Sequence, residues 1–344
     1  MKPLELDSII LHARRHRLCA KVQRNLEVRC GWSVGQSVLV GLSGGVDSTA
    51  LLVIASVLAA RQSPQSSVGA VYVHHHLRSE ADLEAEHCAK LCERLGVKFT
   101  VVDVHPRVGP SGLADDARRL RHAALDDCAR RNGARWILLA HHVDDVLETL
   151  LMRIGRGAGT RGLSTIPWVR RSKPRSEICI ARPLLASNRS EIEEFCRACQ
   201  VTWCEDPSNA KLESARGLLR DQVVPILRAR WPGIARHALG VSEAGRSGEW
   251  ALREIAKLEG WNKCDIPRRL LRTRGPVLSA ALLASGFRLQ GLSISLRTIR
   301  EVAEAACDGT TRPRTFQDEG GIIVVRARAL MISAPERFQG DPAE

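Results

Sequence analysis

The sequence predicts an α/β fold, a doubly wound and mostly parallel sheet followed by a helical linker and a small C-terminal α/β domain. Two observations lead to this prediction. Short apolar runs alternate with amphipathic helical segments between Val38 and Ile154, as in βαβ units whose parallel sheet is covered on both faces. A turn of small residues, Ser43 to Ser48, joins the first run to a helix, as in sheets that bind ligands at the carboxyl ends of their strands.

The elements follow in order along the chain. Residues 4–30 mix apolar and basic positions at helical spacing, which predicts a helix leading into the core. The alternation that follows predicts strands at 38–42, 68–73, 98–102 and 136–140, and helices at 47–60, 80–95, 114–131 and 144–154.

The segment 153–182 interrupts this alternation. It is rich in Gly and Arg, which favours a long loop, either a solvated one or a lid that contacts RNA. A helix at 190–199, helices without strands over 216–260, helices at 277–284 and 295–306, and strands at 321–325 and 328–332 complete the prediction. The predicted domains are an N-terminal helix 1–30, a nucleotide-binding domain 31–215, a helical linker 216–274, a C-terminal domain 275–335 and a frayed tail 336–344.

Composition limits the class of protein. The 344 residues carry a formal net charge of +13 and a sequence pI of about 9.7, which favours a polyanionic partner such as nucleic acid, although a generally basic proteome is an alternative. The 11 cysteines are scattered, as in reduced compartments. No window approaches the roughly 18 apolar residues that span a bilayer. We expect a soluble, cytoplasmic protein without a membrane partner.

The glycine turn has the features of a phosphate site. Its residues are Ser43, Gly44, Gly45, Val46, Asp47 and Ser48. Unpaired N–H groups and the positive end of the helix dipole meet where the strand passes into the helix. No lysine follows the glycines, so the turn is not a Walker loop. An ordinary glycine turn is the alternative. The pattern S-G-G-x-D-S matches the pyrophosphate loop of the N-type ATP pyrophosphatases, which cleave ATP to AMP and pyrophosphate.

A second polar cluster follows the strand at 136–140. On a helix, His141, Asp145 and Glu148 share one face that points back at the strand ends. Such carboxylates suit Mg²⁺ with ATP oxygens, or the ammonium group of an amine substrate. A transition-metal site that adds residues 74–76 is a weaker alternative, because no closed four-ligand spacing occurs. Arg118 and Arg121 share another helix face and suit a phosphate.

The pair Cys196 and Cys199 permits a redox or iron–sulfur interpretation. The two residues lie in an amphipathic helix, and no second pair completes a ligand set. Two cysteines of a helix core are therefore the favoured interpretation.

Together the motifs resemble the tRNA(Ile)-lysidine synthases. The resemblance extends from about residue 35 to 230, more weakly beyond 275, and rests on the Ser43–Ser48 loop, His75-x-Leu77-Arg78, Arg118 with Arg121, the block H-H-x-D-D-x-x-E-T from His141 to Thr149, Arg182-Pro183-Leu184-Leu185, Glu191-Ile192, and Glu205-Asp206-Pro207-Ser208-Asn209.

The resemblance implies ligation of free L-lysine to C2 of the wobble cytidine in the CAU anticodon of tRNA(Ile), through an adenylated cytidine, with ATP and Mg²⁺. It also allows a homodimer. The implied roles are ATP binding by Ser43, Gly44, Gly45, Val46, Asp47 and Ser48, magnesium binding by Asp47 and Asp144, lysine binding by His141, Asp145 and Glu148, tRNA binding by Arg156, Arg161, Arg216 and Arg220, and catalysis by Asp47, Arg118, Asp145 and Glu148.

Three features depart from the family pattern. His74 stands where Asn or Asp is more frequent, and Gly217 follows Arg216 where Asn is usual. The C-terminal part resembles only the first of two appended domains. A tRNA 2-thiolation enzyme and an RNA-binding protein with an inactive ATP loop are the alternative functions.

Overall fold

The computed structural model describes residues 6–33, 35–60, 67–109, 112–205 and 214–333. Contacts between Cα atoms divide this part of the chain into two units. Unit 1 lies within residues 1–156 and 165–242, and unit 2 lies within residues 157–164 and 243–344. The helical segment predicted as a linker, 216–274, is therefore shared between the units.

Unit 1 is built around a sheet whose strands are β1 Val38–Leu42, β2 Val68–His74, β3 Lys98–Asp103, β4 Trp136–Leu138, β5 Val169–Arg171 and β6 Cys179–Ala181. Within the described residues the sheet is six-stranded, in the order β3-β2-β1-β4-β6-β5. Neighbouring strands are parallel except β5 and β6, which are antiparallel. The direction of the strand order reverses between β1 and β4, so their carboxyl ends border a topological switch point, where such sheets bind ligands.

The helices are α1 Leu6–Arg15, α2 Arg17–Arg24, α3 Val46–Ala60, α4 Ala81–Arg94, α5 Leu113–Arg131, α6 Val143–Gly155, α7 Thr160–Leu163, α8 Arg189–Ala198, α9 Ala215–Leu218, α10 Val224–Arg230, α11 Ile234–Leu258, α12 Arg268–Leu289 and α13 Leu296–Cys307. Two π-helical segments, Asn25–Cys30 and Leu219–Val223, follow α2 and α9. Helix α3 is apolar on all sides and packs centrally, because Ala50 to Ile54 are completely buried. No helix in the described part of the chain is long and apolar enough to cross a membrane.

The segment 153–182, predicted as one long loop, is only partly irregular. It contains β5 and β6, and β6 extends the parallel sheet by pairing Ile180 with Ile137 of β4. The prediction of a continuous loop was therefore wrong. Each of these strands has only three residues, too few for a visible alternation, and pairing with β4 supplies the hydrogen bonds that define β6.

Unit 2 combines α12 and α13 with an antiparallel sheet of β7 Asp265–Pro267, β8 Arg314–Asp318, β9 Gly321–Val325 and β10 Ala329–Ser333, in the order β7-β10-β9-β8. The predicted helices and the last two strands are present. The prediction missed β7 and β8 because their sequences, D-I-P and R-T-F-Q-D, lack an apolar run. Gly275 kinks α12 with a φ of 73°, a conformation that glycine adopts without steric cost.

A buried arginine organises the core of unit 2. Arg268 is 1% exposed. Its guanidinium donates to the carbonyl oxygens of Ala306 at 2.6 Å and of Ala305 and Asp308 at 2.9 Å. The same group contacts the Asp308 carboxylate at 3.1 Å. A planar fork of five donors can satisfy several carbonyls at once, which an ammonium group cannot do.

We expect Arg268→Lys to lower the free energy of unfolding of unit 2 by about 3 kcal/mol, because buried carbonyls lose their donors while a charge stays buried. Urea unfolding followed by circular dichroism measures this change. Arg297→Lys is the matched control, since Arg297 is exposed and forms an ion pair with Glu301, and it should change stability by less than about 0.5 kcal/mol. Equal effects of the two substitutions would contradict the role of Arg268.

Candidate active site

The turn Ser43–Ser48 connects β1 to α3. Gly44 has a φ of 81°, which L side chains rarely adopt. The Ser48 hydroxyl accepts a hydrogen bond from the Ser43 N–H and donates to the Gly45 carbonyl, both at 3.1 Å. The Cys204 N–H donates to the Gly44 carbonyl at 2.9 Å. These bonds fix the turn, and the first N–H groups of α3 have no acceptor within their helix, which suits a phosphate.

Asp47 lies in the first turn of α3, beside this phosphate site. Its Oδ1 is buried without a hydrogen-bond partner among the described residues. Burial raises the pKa of the Asp47 carboxyl, while the positive charge of His142 opposes that rise. A buried carboxylate oxygen without a partner is energetically costly. The free oxygen therefore fits a bound cation.

The N-terminus of α6 carries the second set of acids. His142 caps the helix, and its backbone N–H donates to Oδ2 of Asp145 at 2.9 Å in a reciprocal capping box. Oδ1 of Asp144 pairs with Arg228, and Oδ2 accepts the Arg189 N–H at 3.3 Å. Both oxygens of Asp144 are thus engaged, so the magnesium role predicted for this residue lacks a free ligand atom.

The pKa values of two adjacent histidines are shifted in opposite directions. Burial lowers the pKa of His141 to about 3, and Asp145 opposes this shift. Burial also disfavours protonation of His142, but the carboxylates of Asp145, Asp144 and Asp47 raise its pKa to about 9. In the helix cap, Nδ1 of His142 accepts the Asp144 N–H at 3.3 Å, and Nε2 lies 3.7 Å from Asp47 and from Asp145. The surrounding carboxylates thus favour the charged form of His142, and burial favours the neutral form of His141.

Asp145 and Glu148 are paired with two arginines. Arg216 donates from Nη2 to Oδ1 of Asp145 and from Nε to Oε2 of Glu148, both at 2.6 Å. Arg220 donates from Nε to Oε1 of Glu148 at 3.1 Å. The residues predicted to bind lysine and two of those predicted to bind tRNA thus meet in one ion cluster.

Cationic side chains gather where β2 and β4 end. Arg118 and Arg121 lie on α5, which packs on β1, β2 and β4. Three nitrogens in this region, Nε of Arg121 and Nδ1 of His75 and of His141, are buried without hydrogen-bond partners among the described residues. Burial, together with neighbouring guanidinium groups, lowers the pKa of His122 to about 4. The excess of positive charge suits an anionic ligand.

His74, His76 and Asp103 form a group with metal-ligand spacing. Nε2 of His76 lies 2.8 Å from Oδ1 of Asp103, and the His76 N–H donates to Nδ1 of His74 at 3.2 Å. This hydrogen bond occupies Nδ1 of His74, and Nε2 lies 3.2 Å from Oδ1 of Asp82. Ligand atoms of the group are thus engaged with each other and with a backbone N–H.

The two other residues predicted to bind tRNA are exposed. Arg156 is exposed at the end of α6, and Arg161 is exposed in α7. Residues 206–209 of the E-D-P-S-N motif lie outside the described residues. The sequence reasoning missed the roles of Arg228 and His142. Arg228 lies on α10, and its partner Asp144 is 84 residues away in sequence, so no local pattern joins the two.

The profile of the PP-loop domain matches residues 16–227 of the chain. The chain belongs to the PP-loop family. The domain that this profile describes binds ATP, which confirms the predicted nucleotide-binding class.

Two curated relatives of this PP-loop protein are tRNA(Ile)-lysidine synthases. The protein from Pseudomonas syringae pv. tomato is 38% identical over 241 residues, which cover 69% of this chain and 53% of the relative. The protein from Pseudomonas fluorescens is 35% identical over 271 residues, which cover 78% of this chain and 58% of the relative. These similarities confirm the resemblance predicted from the motifs. The chain spans little more than half the length of these relatives.

Among solved structures, the fold is similar to that of a U34-tRNA thiolase from Methanococcus maripaludis that carries an iron–sulfur cluster. The TM-score is 0.55 at 17% identity, and the alignment covers 70% of this chain and 80% of the other. At this identity the likeness concerns the fold alone. It confirms the predicted doubly wound α/β class.

We expect the ring of His142 to be protonated at neutral pH and to lose its proton near pH 9, because three carboxylates surround it. His141 should stay neutral down to about pH 3. The folded pKa of His142 exceeds the usual value of about 6.5. Its contribution to stability is therefore complete below about pH 6.5 and is lost as the pH rises through the folded pKa.

Nitrogen-15 shifts of the imidazole rings across this pH range measure both states. The spectrum of His142→Asn assigns the signal by its loss. A His142 ring that is neutral at pH 7 would contradict the expected charge.

Proposed function

We propose that this PP-loop protein ligates L-lysine to C2 of the wobble cytidine in tRNA(Ile) with a CAU anticodon, forming lysidine. One contact supports this proposal most. The imidazole of His142 lies 3.7 Å from Asp47 at the ATP loop and 3.7 Å from Asp145 at the acidic pair. A nucleotide site and a cation site thus adjoin, as a reaction that joins an amine to an ATP-activated carbonyl requires. The relatives named above support the choice of amine and RNA.

Two steps would follow each other at this site. The C2 oxygen of cytidine attacks the α-phosphorus of ATP, the bond between the α-phosphorus and the bridging oxygen breaks, and pyrophosphate leaves. The lysine ε-ammonium then gives up one proton, its nitrogen forms a bond to C2, and AMP leaves with the former C2 oxygen. The carboxylates of Asp145 and Glu148 would orient the ammonium. Arg118 would stabilise negative charge at the adenylate.

The proposal includes Mg²⁺, with Asp47 as its protein ligand. The partnerless Oδ1 of Asp47 is a hard oxygen ligand beside the phosphate turn, as Mg²⁺ prefers. The ion would neutralise charge on the ATP phosphates. Asp144 is unsuited, because Arg228 and the Arg189 N–H occupy its oxygens.

The RNA partner agrees with the charge of the chain. A net charge of +13 and the cationic cluster of Arg118 and Arg121 favour a polyanion that reaches the carboxyl edge of the sheet. Exposed Arg156 and Arg161 are proposed to contact the same tRNA, as is the C-terminal domain predicted at 275–335. We place the reaction in the cytoplasm, and a homodimer is the assembly that the family resemblance suggests.

The alternative thiolation chemistry has less support. Cys196 and Cys199 are completely buried, and Cys196 donates to the Val46 carbonyl at 3.7 Å. Burial raises the pKa of both thiols. Within the described residues, no three cysteines group as cluster ligands.

Incubation with ATP, Mg²⁺, labelled lysine and unmodified tRNA(Ile) tests the proposed reaction. We expect label in the RNA together with AMP and pyrophosphate. Sulfur-dependent modification without lysine incorporation would favour the thiolation enzyme, and the absence of AMP formation would leave an RNA-binding protein. Either result overturns the proposal.

Asp47→Ala should reduce pyrophosphate release by on the order of 100-fold or more, because charge at the phosphates loses its stabilisation. Binding of tRNA, measured by gel shift, should remain largely intact. Asp127→Ala removes an exposed carboxylate that forms ion pairs with Arg130 and Lys173, and it should leave pyrophosphate release unchanged. Full activity of the Asp47 variant would refute the assigned role.

A further inference from the structure

The acidic pair proposed to bind lysine has no free oxygen. Oδ1 of Asp145 is bonded to Arg216, and Oδ2 accepts the His142 N–H at 2.9 Å. Oε2 of Glu148 is bonded to Arg216, and Oε1 is bonded to Arg220. Each of the four oxygens is thus already bonded, so an ammonium group that binds here competes with the guanidinium groups for the same carboxylates.

The arginines can leave more easily than the carboxylates. The side chain of Glu148 is 3% exposed, whereas the side chains of Arg216 and Arg220 are 38% and 35% exposed. Arg220 also lies in the π-helical segment Leu219–Val223. Such wide turns are rare and occur frequently at functional sites. The carboxylates are thus fixed at the site, and the guanidinium groups border solvent.

We propose that Arg216 and Arg220 act as an internal pseudosubstrate, which occupies the lysine site until RNA phosphates draw the two arginines away. This inference rests on the proposed function, and it adds an order of binding in which tRNA precedes lysine. Leaving buried carboxylates unpaired is energetically costly. The arginines therefore leave only when another anion binds them, and the carboxylates that they release then bind a new cation. Phosphates bind guanidinium groups bidentately, and the lysine ammonium supplies the replacement charge.

Calorimetric titration of the protein with L-lysine in the absence of ATP tests whether tRNA binds before lysine, because no turnover occurs without ATP. For the wild type without RNA we expect lysine to bind at least tenfold more weakly than to Arg216→Gln. An unmodified tRNA(Ile) transcript should tighten lysine binding to the wild type at least tenfold and change that of the variant little. Norleucine, which lacks the ammonium group, should bind to neither protein.

Arg197→Gln is the matched control. Arg197 forms an exposed pair with Glu193 on α8, so its loss should leave lysine affinity as in the wild type. If Arg216→Gln binds lysine as weakly as the wild type or more weakly, the pseudosubstrate proposal is overturned. If the wild type nevertheless labels tRNA with lysine, the proposed function stands without a pseudosubstrate. If the wild type neither labels tRNA nor binds lysine in the presence of RNA, both proposals fail.

A measurement on the wild type avoids any effect of substitution on folding. The Nε–H signal of Arg216, assigned by its loss in Arg216→Gln, reports the bond to Glu148. Addition of the tRNA transcript alone should shift this signal. An unchanged signal with RNA bound would overturn the displacement of Arg216.

Discussion

Two carboxylates on one face of α6, a partly exposed one at Asp145 and a buried one at Glu148, impose a constraint on the rest of unit 1. Asp145 and Glu148 cannot stay ionised inside a protein without positive partners. The partners come from distant parts of the chain, a guanidinium from Arg216 and another from Arg220. The helix cap at His142 supplies a further donor. The carboxylates proposed to bind the amine substrate are therefore the same groups whose negative charge the fold must balance.

The sheet topology explains why the Ser43–Ser48 turn and the acidic helix α6 adjoin. The turn follows β1 and α6 follows β4, and these strands are neighbours although about a hundred residues separate them in sequence. The strand order reverses between them, so their connections leave in opposite directions and a crevice opens between the strand ends. The imidazole of His142 lies at this crevice, 3.7 Å from Asp47 and from Asp145.

Local pattern predicted the parallel sheet, the phosphate turn and the acidic helix face, because each depends on residues that are close in sequence. The short strands β5 and β6 escaped prediction, since three residues carry no period and their pairing is long-range. The ion pairs of Arg216 with Glu148 and of Arg228 with Asp144 were not predicted for a related reason. An arginine-rich helix looks the same in sequence whether it faces RNA or a buried acid. The opposite pKa shifts of His141 and His142 depend on burial and neighbouring charge, which adjacent identical residues do not reveal.

The edges of the six-stranded sheet have a consequence for solubility. One edge strand, β3, begins with Lys98 and ends with Asp103, and the other, β5, consists of Val169 followed by two arginines. Charged side chains on short edge strands hinder the pairing of a second chain with exposed backbone groups. Another copy that extended the sheet at β5 in antiparallel register would bring arginines close to arginines. The same basic residues that suit a polyanionic partner thus oppose aggregation by strand addition at β5.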